Sequence, residues 1–273
     1  MIGFNYLGKM GQLGNQMFQY ASLRGIAKNL GYNFCIPYHN EVFVDSLGNK
    51  LRIELFDSFV MKNVTQLNIQ MIDQDRPTVA EDGFNFNENI FNECPDWVNL
   101  QGYFQTEKYF KHIQDEIRED FTFKNEIALP CKHKMSEVDR PIALHIRRGD
   151  FLKNSSNHTN LDLGYYAASL ERFDSDRTVI IFSDDPEWCK EQSLFENDRF
   201  LVSEGNDSYT DLCLMSLCTD FIIANSTFSW WGAWLSKSVN KLVCAPDSSI
   251  WFGPNNAHLD TSDIIPEEWV IVK

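Results

Sequence analysis

The sequence predicts an α/β protein built on parallel sheets. Strand-length apolar runs recur at residues 142–146, 178–182, 200–202, 221–224 and 241–244, and helical stretches separate most of them. Several of these runs are β-branched and apolar throughout, as strands covered on both faces are. Residues 2–37 show the pattern once more, as strand, glycine-rich loop, helix and strand.

Length and charge set the outer limits. The 273 residues make one large domain or two small ones, and 43% hydrophobic content is enough for a real core. A formal charge of −15 argues against a nucleic-acid partner and against an anionic membrane surface. Any phosphate site must then be made locally, by a few arginines and backbone amides. Residues 1–6 lack the basic start and long apolar stretch of a secretory leader, and no segment has the apolar length to span a bilayer. Membrane contact, where it occurs, is expected to be peripheral. The seven cysteines are scattered and odd in number, and Cys213 and Cys218 are too far apart for a CxxC motif. Reduced thiols and a cytoplasmic location are the expectation.

In chain order, residues 2–6 form the first expected strand. The loop from Gly8 to Gln16 follows, and Met17, Tyr20, Ala21, Ile26, Ala27 and Leu30 lie near helical spacing. Gly31 ends that helix, and residues 33–37 form the next strand. The loop reads GxxGxxG, a poor match to the GxGxxG dinucleotide fingerprint. Its glycines let a ligand approach the backbone; a flexible turn is the plainer reading. From 39 to 130 the pattern weakens and aromatic residues are dense. Tyr103, Phe104 and Gln105 follow Trp97 and precede a predicted helix at 107–118. Aromatic faces beside amides suit a sugar, which offers C–H faces and hydroxyls; core packing accounts for the same residues one by one. Polar residues 124–140 mark a boundary between two lobes, 1–135 and 136–273. In the second lobe, helices are expected at 164–173, 186–194, 207–218 and 228–235. The tail, with Trp251, Phe252 and Trp269, is expected to pack back across the lobes.

The chemistry lies at strand ends, because open parallel sheets bind ligands outside the carboxyl ends of their strands. The run Pro141-Ile142-Ala143-Leu144-His145-Ile146 stops at Arg147-Arg148-Gly149-Asp150. Two adjacent arginines fork onto phosphate oxygens as lysine cannot. A surface turn with a salt bridge to Asp150 is the plainer reading. The second run ends in Ser183-Asp184-Asp185, before Pro186 at a good first helical position. Asp184 or Asp185 suits a ribose or a guanine edge, or else a helix-start charge pair. The fourth run ends in Asn225-Ser226-Thr227-Phe228-Ser229. Hydroxyls, free amides and the helix dipole there make an anion site; N-capping by Asn225, Ser226 or Thr227 explains the same residues. Facing the arginine pair, such a site would hold a diphosphate. Two Asp-x-Asp triplets, at 73–75 and 174–176, sit badly for a metal-held diphosphate, and the histidines show no ligand spacing. No metal site is expected.

Three long motifs resemble the bacterial α-1,2-fucosyltransferases, glycosyltransferase family 11. They are Gly11-Gln12-Leu13-Gly14-Asn15-Gln16-Met17-Phe18-Gln19-Tyr20-Ala21, His145-Ile146-Arg147-Arg148-Gly149-Asp150, and Asn225-Ser226-Thr227-Phe228-Ser229-Trp230-Trp231-Gly232-Ala233-Trp234-Leu235. Gly102-Tyr103-Phe104-Gln105 and Ser183-Asp184-Asp185 also fit, in family order, so nearly the whole chain is covered. One departure is Gln12, where a second glycine is expected after Gly11.

The resemblance implies a GT-B-like α/β architecture, two Rossmann-like lobes facing a central cleft. Residues 1–135 would be the acceptor side and 136–273 would bind GDP-fucose. It implies transfer of L-fucose to the 2-hydroxyl of a terminal β-galactoside acceptor, with inversion, no cofactor and no essential metal. Arg147, Asp150 and Asn15 become the catalytic candidates. His145, Arg148, Ser183, Asp184, Asp185, Asn225, Ser226, Thr227 and Phe228 form the donor set; Gln16, Tyr103 and Gln105 join the acceptor side. Arg147, aided by Arg148, would stabilise charge on the departing GDP. Asp150 would either take the acceptor proton or orient Arg147. The alternatives are a catalytically silent nucleotide- or sugar-binding protein and a same-fold transferase with another donor. An NAD-dependent dehydrogenase is disfavoured, since no GxGxxG follows a strand. Acceptor choice is expected to lie in loops within 39–130.

Overall fold

The structure is a computed structural model that describes residues 1–38, 42–44 and 50–273. Residues 39–41 and 45–49, part of the stretch expected to govern acceptor choice, lie outside the described residues. The chain divides into two units: Met1–Lys124 with Asp260–Pro266, and Asn125–Leu259 with Glu267–Lys273.

In the first unit the elements run β1 (Ile2–Gly3), α1 (Leu13–Leu30), β2 (Phe34–Cys35), β3 (Phe43–Val44), β4 (Lys50–Leu51), α2 (Leu55–Ser58), β5 (Thr78–Ala80), α3 (Glu88–Glu93), β6 (Val98–Gln101) and α4 (Gln114–Asp120). Among the described residues a parallel sheet has the order β2-β1-β6-β5, and β3 pairs with β4 antiparallel. Helix α1 is buried almost throughout and ends at Gly31 in the left-handed conformation. It starts at Leu13, earlier than the apolar spacing suggests. Asn15 and Gln16 therefore sit on its first turn and not in the loop. Buried amides cause the discrepancy: Gln16 and Gln19 face inward and donate to the Gly11 and Met10 carbonyls, contacts that a hydrophobic pattern does not register.

A buried ion pair ties α1 to α4. Asp120, fully buried, pairs with Arg24 and accepts from the Tyr20 hydroxyl at 2.8 Å. Asn63 satisfies its other oxygen through a backbone N–H at 2.7 Å and a side-chain N–H at 2.9 Å. Such a pair is held by its extra hydrogen bonds, without which the desolvation of both charges would outweigh their attraction. The single helix expected at 107–118 is instead two short 3-10 turns, Glu107–Tyr109 and Lys111–Ile113, leading into α4. Tyr109 and Phe110 are both fully buried there.

The second unit runs α5 (Asn125–Met135), β7 (Ile142–Ile146), α6 (Gly149–Lys153), α7 (Leu163–Leu170), β8 (Val179–Ser183), α8 (Pro186–Lys190), β9 (Phe200–Val202), α9 (Ser208–Ser216), β10 (Asp220–Ile222), α10 (Thr227–Leu235), β11 (Val243–Pro246) and β12 (Val270–Val272). Its sheet is parallel, in the order β12-β11-β10-β7-β8-β9. Ile142, Leu144 and Ile146 pack with Val179, Ile181 and Tyr166 of α7. The alternating Ala143 and His145 must point to the opposite face, where His145 meets Phe228 of α10 at 5.6 Å. Trp230 and Trp231 of α10 are fully buried, each contributing ~2–3 kcal/mol by removal from water.

Three expectations change here. The polar stretch 124–140 contains a helix, α5, whose buried Cys131 lies 3.7 Å from the Thr210 carbonyl of α9. That contact puts α5 in the second unit, so the division falls after Lys124 instead of after 135. The strand expected at 241–244 starts at Val243, because Lys241 instead donates to the Ala233 and Ser236 carbonyls at the end of α10, a favourable place for a cation. The tail contributes an edge strand, β12, too short to show a period, with Trp269 packed against Trp230.

Candidate active site

β10, β7 and β8 are neighbours in one parallel sheet, so the polar clusters after them share one edge. Arg147 leaves the end of β7 between two carboxylates: it is 2.6 Å from Asp150 and 2.8 Å from Asp184. Its guanidinium also lies over the Phe151 ring at 5.3 Å. Arg148 is fixed more tightly. It pairs with Asp185 at 3.1 Å and stacks on Trp188 at 3.7 Å, and its backbone N–H donates to Asp184. Gly149 is required by this packing: a Cβ there would stand 2.5 Å from Asp184 Oδ2. Asp185 also caps α8 by accepting from the Trp188 N–H, so the helix-start reading of that residue matches the geometry. The Ser183 hydroxyl accepts from the Asp185 N–H. Both aspartates meet arginines here, and any ribose or base they receive must share them.

His145 is buried, and burial, helped by the charge on Arg147, pushes its imidazole down to about 3. It is neutral at physiological pH, and its Nδ1 is buried with no hydrogen-bond partner among the described residues. A neutral ring can accept or donate one hydrogen bond to a neighbouring polar group without adding charge. His158, missed by the sequence reading, stacks on Phe151 at 4.1 Å and lies in the field of Asp150 and Arg147.

After β10, Ser226 is the N-cap of α10, its hydroxyl accepting from the Phe228 N–H at 3.4 Å. Thr227 is the first residue of α10, at the positive end of a helix whose first N–H groups have no partner within it, on the sheet edge that also carries the arginines. Asn225 behaves differently from the donor-binding role expected of it. Its amide donates to the Thr159 and Trp251 carbonyls, both at 2.9 Å, and it is buried. It ties two loops together, a job that spacing along the chain does not reveal.

In the first unit the same rule places a second cluster at the ends of β1, β6 and β5. Gly11 takes a left-handed φ of 85°, and any side chain there would collide with Asn15. The Gln105 side-chain amide donates to the Asn15 side-chain oxygen Oδ1 at 3.1 Å. Gln16 is fully buried and fully used: it donates to the Gly11 and Arg52 carbonyls and accepts from the Glu54 N–H. It is a structural tie, not an acceptor-facing group, for the same reason as Asn225. The Tyr103 ring stacks on Phe84 at 6.0 Å, while Phe104 is core. Glu81 and Gln19 belong to this cluster and were not singled out by sequence. The available signal was an acid, Glu81, directly after the 78–80 strand. Among the described residues no three His, Cys, Asp or Glu side chains gather as a metal site would require.

The profile of glycosyl transferase family 11 matches residues 2–271. The chain is 31% identical to an α-1,2-colitosyltransferase of Escherichia coli, over 96% of this chain and 97% of that one. It is 24% identical to galactoside α-(1,2)-fucosyltransferase 1 of Bos taurus, over 95% of this chain and 73% of the relative. Among solved structures, POFUT1 in complex with GDP superposes with a TM-score of 0.56 at 15% identity, covering 89% of this chain and 97% of that one. That likeness shows the fold, the GT-B type with two Rossmann-like units.

Proposed function

This chain belongs to glycosyl transferase family 11, and from that premise we propose that it transfers L-fucose from GDP-fucose to the 2-hydroxyl of a terminal β-galactoside. The observation that carries the donor half is the pair Arg147 and Arg148, held by aspartates on the sheet edge that also carries the start of α10. A diphosphate is the ligand such an edge suits: two guanidinium forks and a helix N-terminus on one side, in a chain whose overall charge repels anions at long range. The α-1,2 linkage is supported by two relatives, the α-1,2-colitosyltransferase and the galactoside α-(1,2)-fucosyltransferase.

In this reading the acceptor oxygen attacks C1 of fucose from the face opposite the phosphate. The C1–O bond breaks, its electron pair leaves on the β-phosphate oxygen of GDP, and the proton of the acceptor hydroxyl passes to water. Arg147 stabilises that developing charge, with the Thr227 N–H adding a neutral donor. Asp150 is 62% exposed and paired with Arg147, so its part is to orient the arginine, and no proton transfer is assigned to it. Neutral His145, beside Phe228, contacts the nucleoside end of the donor. No cofactor enters the scheme, and the arginines do the work a metal ion would otherwise do.

A second reading, colitose as the transferred sugar, is favoured by the relative at 31% identity. Both are decided by offering GDP-fucose or GDP-colitose with lactose in the presence of EDTA. An α-1,2-fucosylated product is the expected outcome. Product from the colitose donor alone would replace the first reading with the second. No nucleotide release from either donor, across acceptors and with metal restored, would sink both.

A further inference from the structure

The carboxyl edge of the first unit's sheet holds a group with no role so far. Glu81 directly follows β5, and its backbone N–H donates to the Gln101 carbonyl at the end of β6. Its carboxylate reaches on into the next turn. One oxygen, Oε2, accepts from the Tyr103 N–H at 2.7 Å and from the Phe104 N–H at 2.8 Å. That turn does not hold itself, since Phe104 sits at a φ of 52°, in the left-handed region unfavourable for a residue with a side chain. The next residue, Gln105, donates to Asn15, and Gln19 of α1 donates to the Gly102 carbonyl at 3.1 Å. The Glu81 carboxylate thus holds the N–H groups of the turn while Gln19 and Ser22 hold its carbonyls, and the turn fixes the amide that holds Asn15.

We propose that Glu81 is a positioning residue for the transfer reaction: its carboxylate clamps the 102–104 turn, so that Gln105 holds Asn15 in place for the acceptor sugar. The proposal rests on the functional reading above, and it takes Asn15, a catalytic candidate within the expected acceptor-side residues 1–135, to face the acceptor.

Comparison with Gln16 separates this from ordinary structural tying. Gln16 is neutral and has every polar atom satisfied. Glu81 is charged when it clamps best, and its second oxygen is buried without a partner among the described residues, as are the carbonyl oxygens of Gln19 and Gln105. Burial pushes the Glu81 carboxyl up to about 7, aided by Asp82 and opposed by the two backbone N–H groups. Its titratable neighbours are Asp82 on its own segment, Tyr103 on the turn and Tyr109; no cation pairs with it among the described residues. Protonation weakens the acceptor of two hydrogen bonds, so the clamp loosens as pH falls through about 7.

Two kinds of measurement test this. In the transfer assay, Glu81→Ala should lower kcat by ~10²-fold, with the KM for the donor nearly unchanged, because misplacement by about 1 Å is that costly. Glu81→Gln keeps an oxygen for both N–H groups but cannot titrate. It should stay within ~10-fold of wild type and lose the acidic limb of the pH profile near 7. A folded Glu81→Gln protein as inactive as Glu81→Ala would overturn the proposal in favour of direct proton transfer. Wild-type kcat in Glu81→Ala, or an unchanged acidic limb in Glu81→Gln, would also overturn it. The second measurement needs no substrate: carbon-13 titration of the Glu81 carboxyl alongside hydrogen exchange at the Tyr103 and Phe104 amides. Protection of both amides should fall together with protonation of Glu81. Amides indifferent to that titration would refute the clamp whichever sugar is transferred. A protein that transfers no sugar yet shows the coupled titration would instead refute only the functional reading.

Discussion

At the carboxyl edge of the second unit's sheet the polar side chains are ionic and already paired: Arg147 with Asp150 and Asp184, Arg148 with Asp185. At the corresponding edge of the first unit they are amides, Asn15, Gln16, Gln19 and Gln105, joined by the single carboxylate of Glu81. Both edges obey the same strand-end rule, yet their chemistry differs in the way the proposed function requires, an anionic donor at one and a neutral sugar at the other. An anion must be gripped by charges held rigid beforehand, since a chain of charge −15 attracts no phosphate from a distance. A sugar carries no charge and is read by directional donors and acceptors, for which amides suffice.

The sharpest test of that contrast is Arg147. Arg147→Ala should cut kcat by ~10³-fold in a GDP-release assay, the scale of a lost transition-state contact. Arg147→Lys should recover little of it, because a point charge cannot span both aspartates and the diphosphate. Full activity in the lysine variant would reduce the edge to simple charge. Next in size, Gly149→Ala should cost ~10-fold, since its methyl group pushes Asp184 away from both arginines; an unaltered donor KM there would mean Asp184 holds nothing in place. Asp150→Asn should change kcat by less than ~5-fold if it only orients Arg147. A loss of ~10² or more would make it the proton acceptor.

The two edges also differ in the sign of their pH dependence. Folded His145 stays neutral down to about 3, whereas the unfolded chain protonates it near 6.5. The unfolded state then binds more protons in that window, and stability falls as pH falls from 6.5. Glu81 works the other way. Folded, it keeps its proton up to about 7; unfolded, it releases it near 4.5, so stability falls as pH rises between those values. Thermal melts of Glu81→Gln should thus show a Tm a few degrees above wild type at pH 8 and little change at pH 4. Equal shifts at both pH values would mean that the buried charge is not what the first edge gives up in stability.

Legibility in the sequence followed the same divide. β7 is found at its predicted bounds because four apolar residues, interrupted once by His145, end in a charged turn. Arg147 directly follows β7, and Arg148, Ser226 and Thr227 lie within five residues of a strand end, which is why the sequence singles them out. In the first unit the strands are two to four residues long, too short for periodicity to show. The helix there was read as starting late because its first turn is lined with buried amides.

Alternation of strands and helices thus marked the fold class from sequence alone, and the three long motifs marked the family, because backbone geometry carries a strand-end motif to a known place. Tertiary structure alone decided which polar groups are already spent. Asn225 and Gln16 look available in the sequence but are tied to backbone carbonyls. Glu81 and His158 look ordinary yet sit where strand ends and rings converge. The reason is physical: a side chain's hydrogen-bond partners come from segments distant along the chain, and only folding brings them within reach.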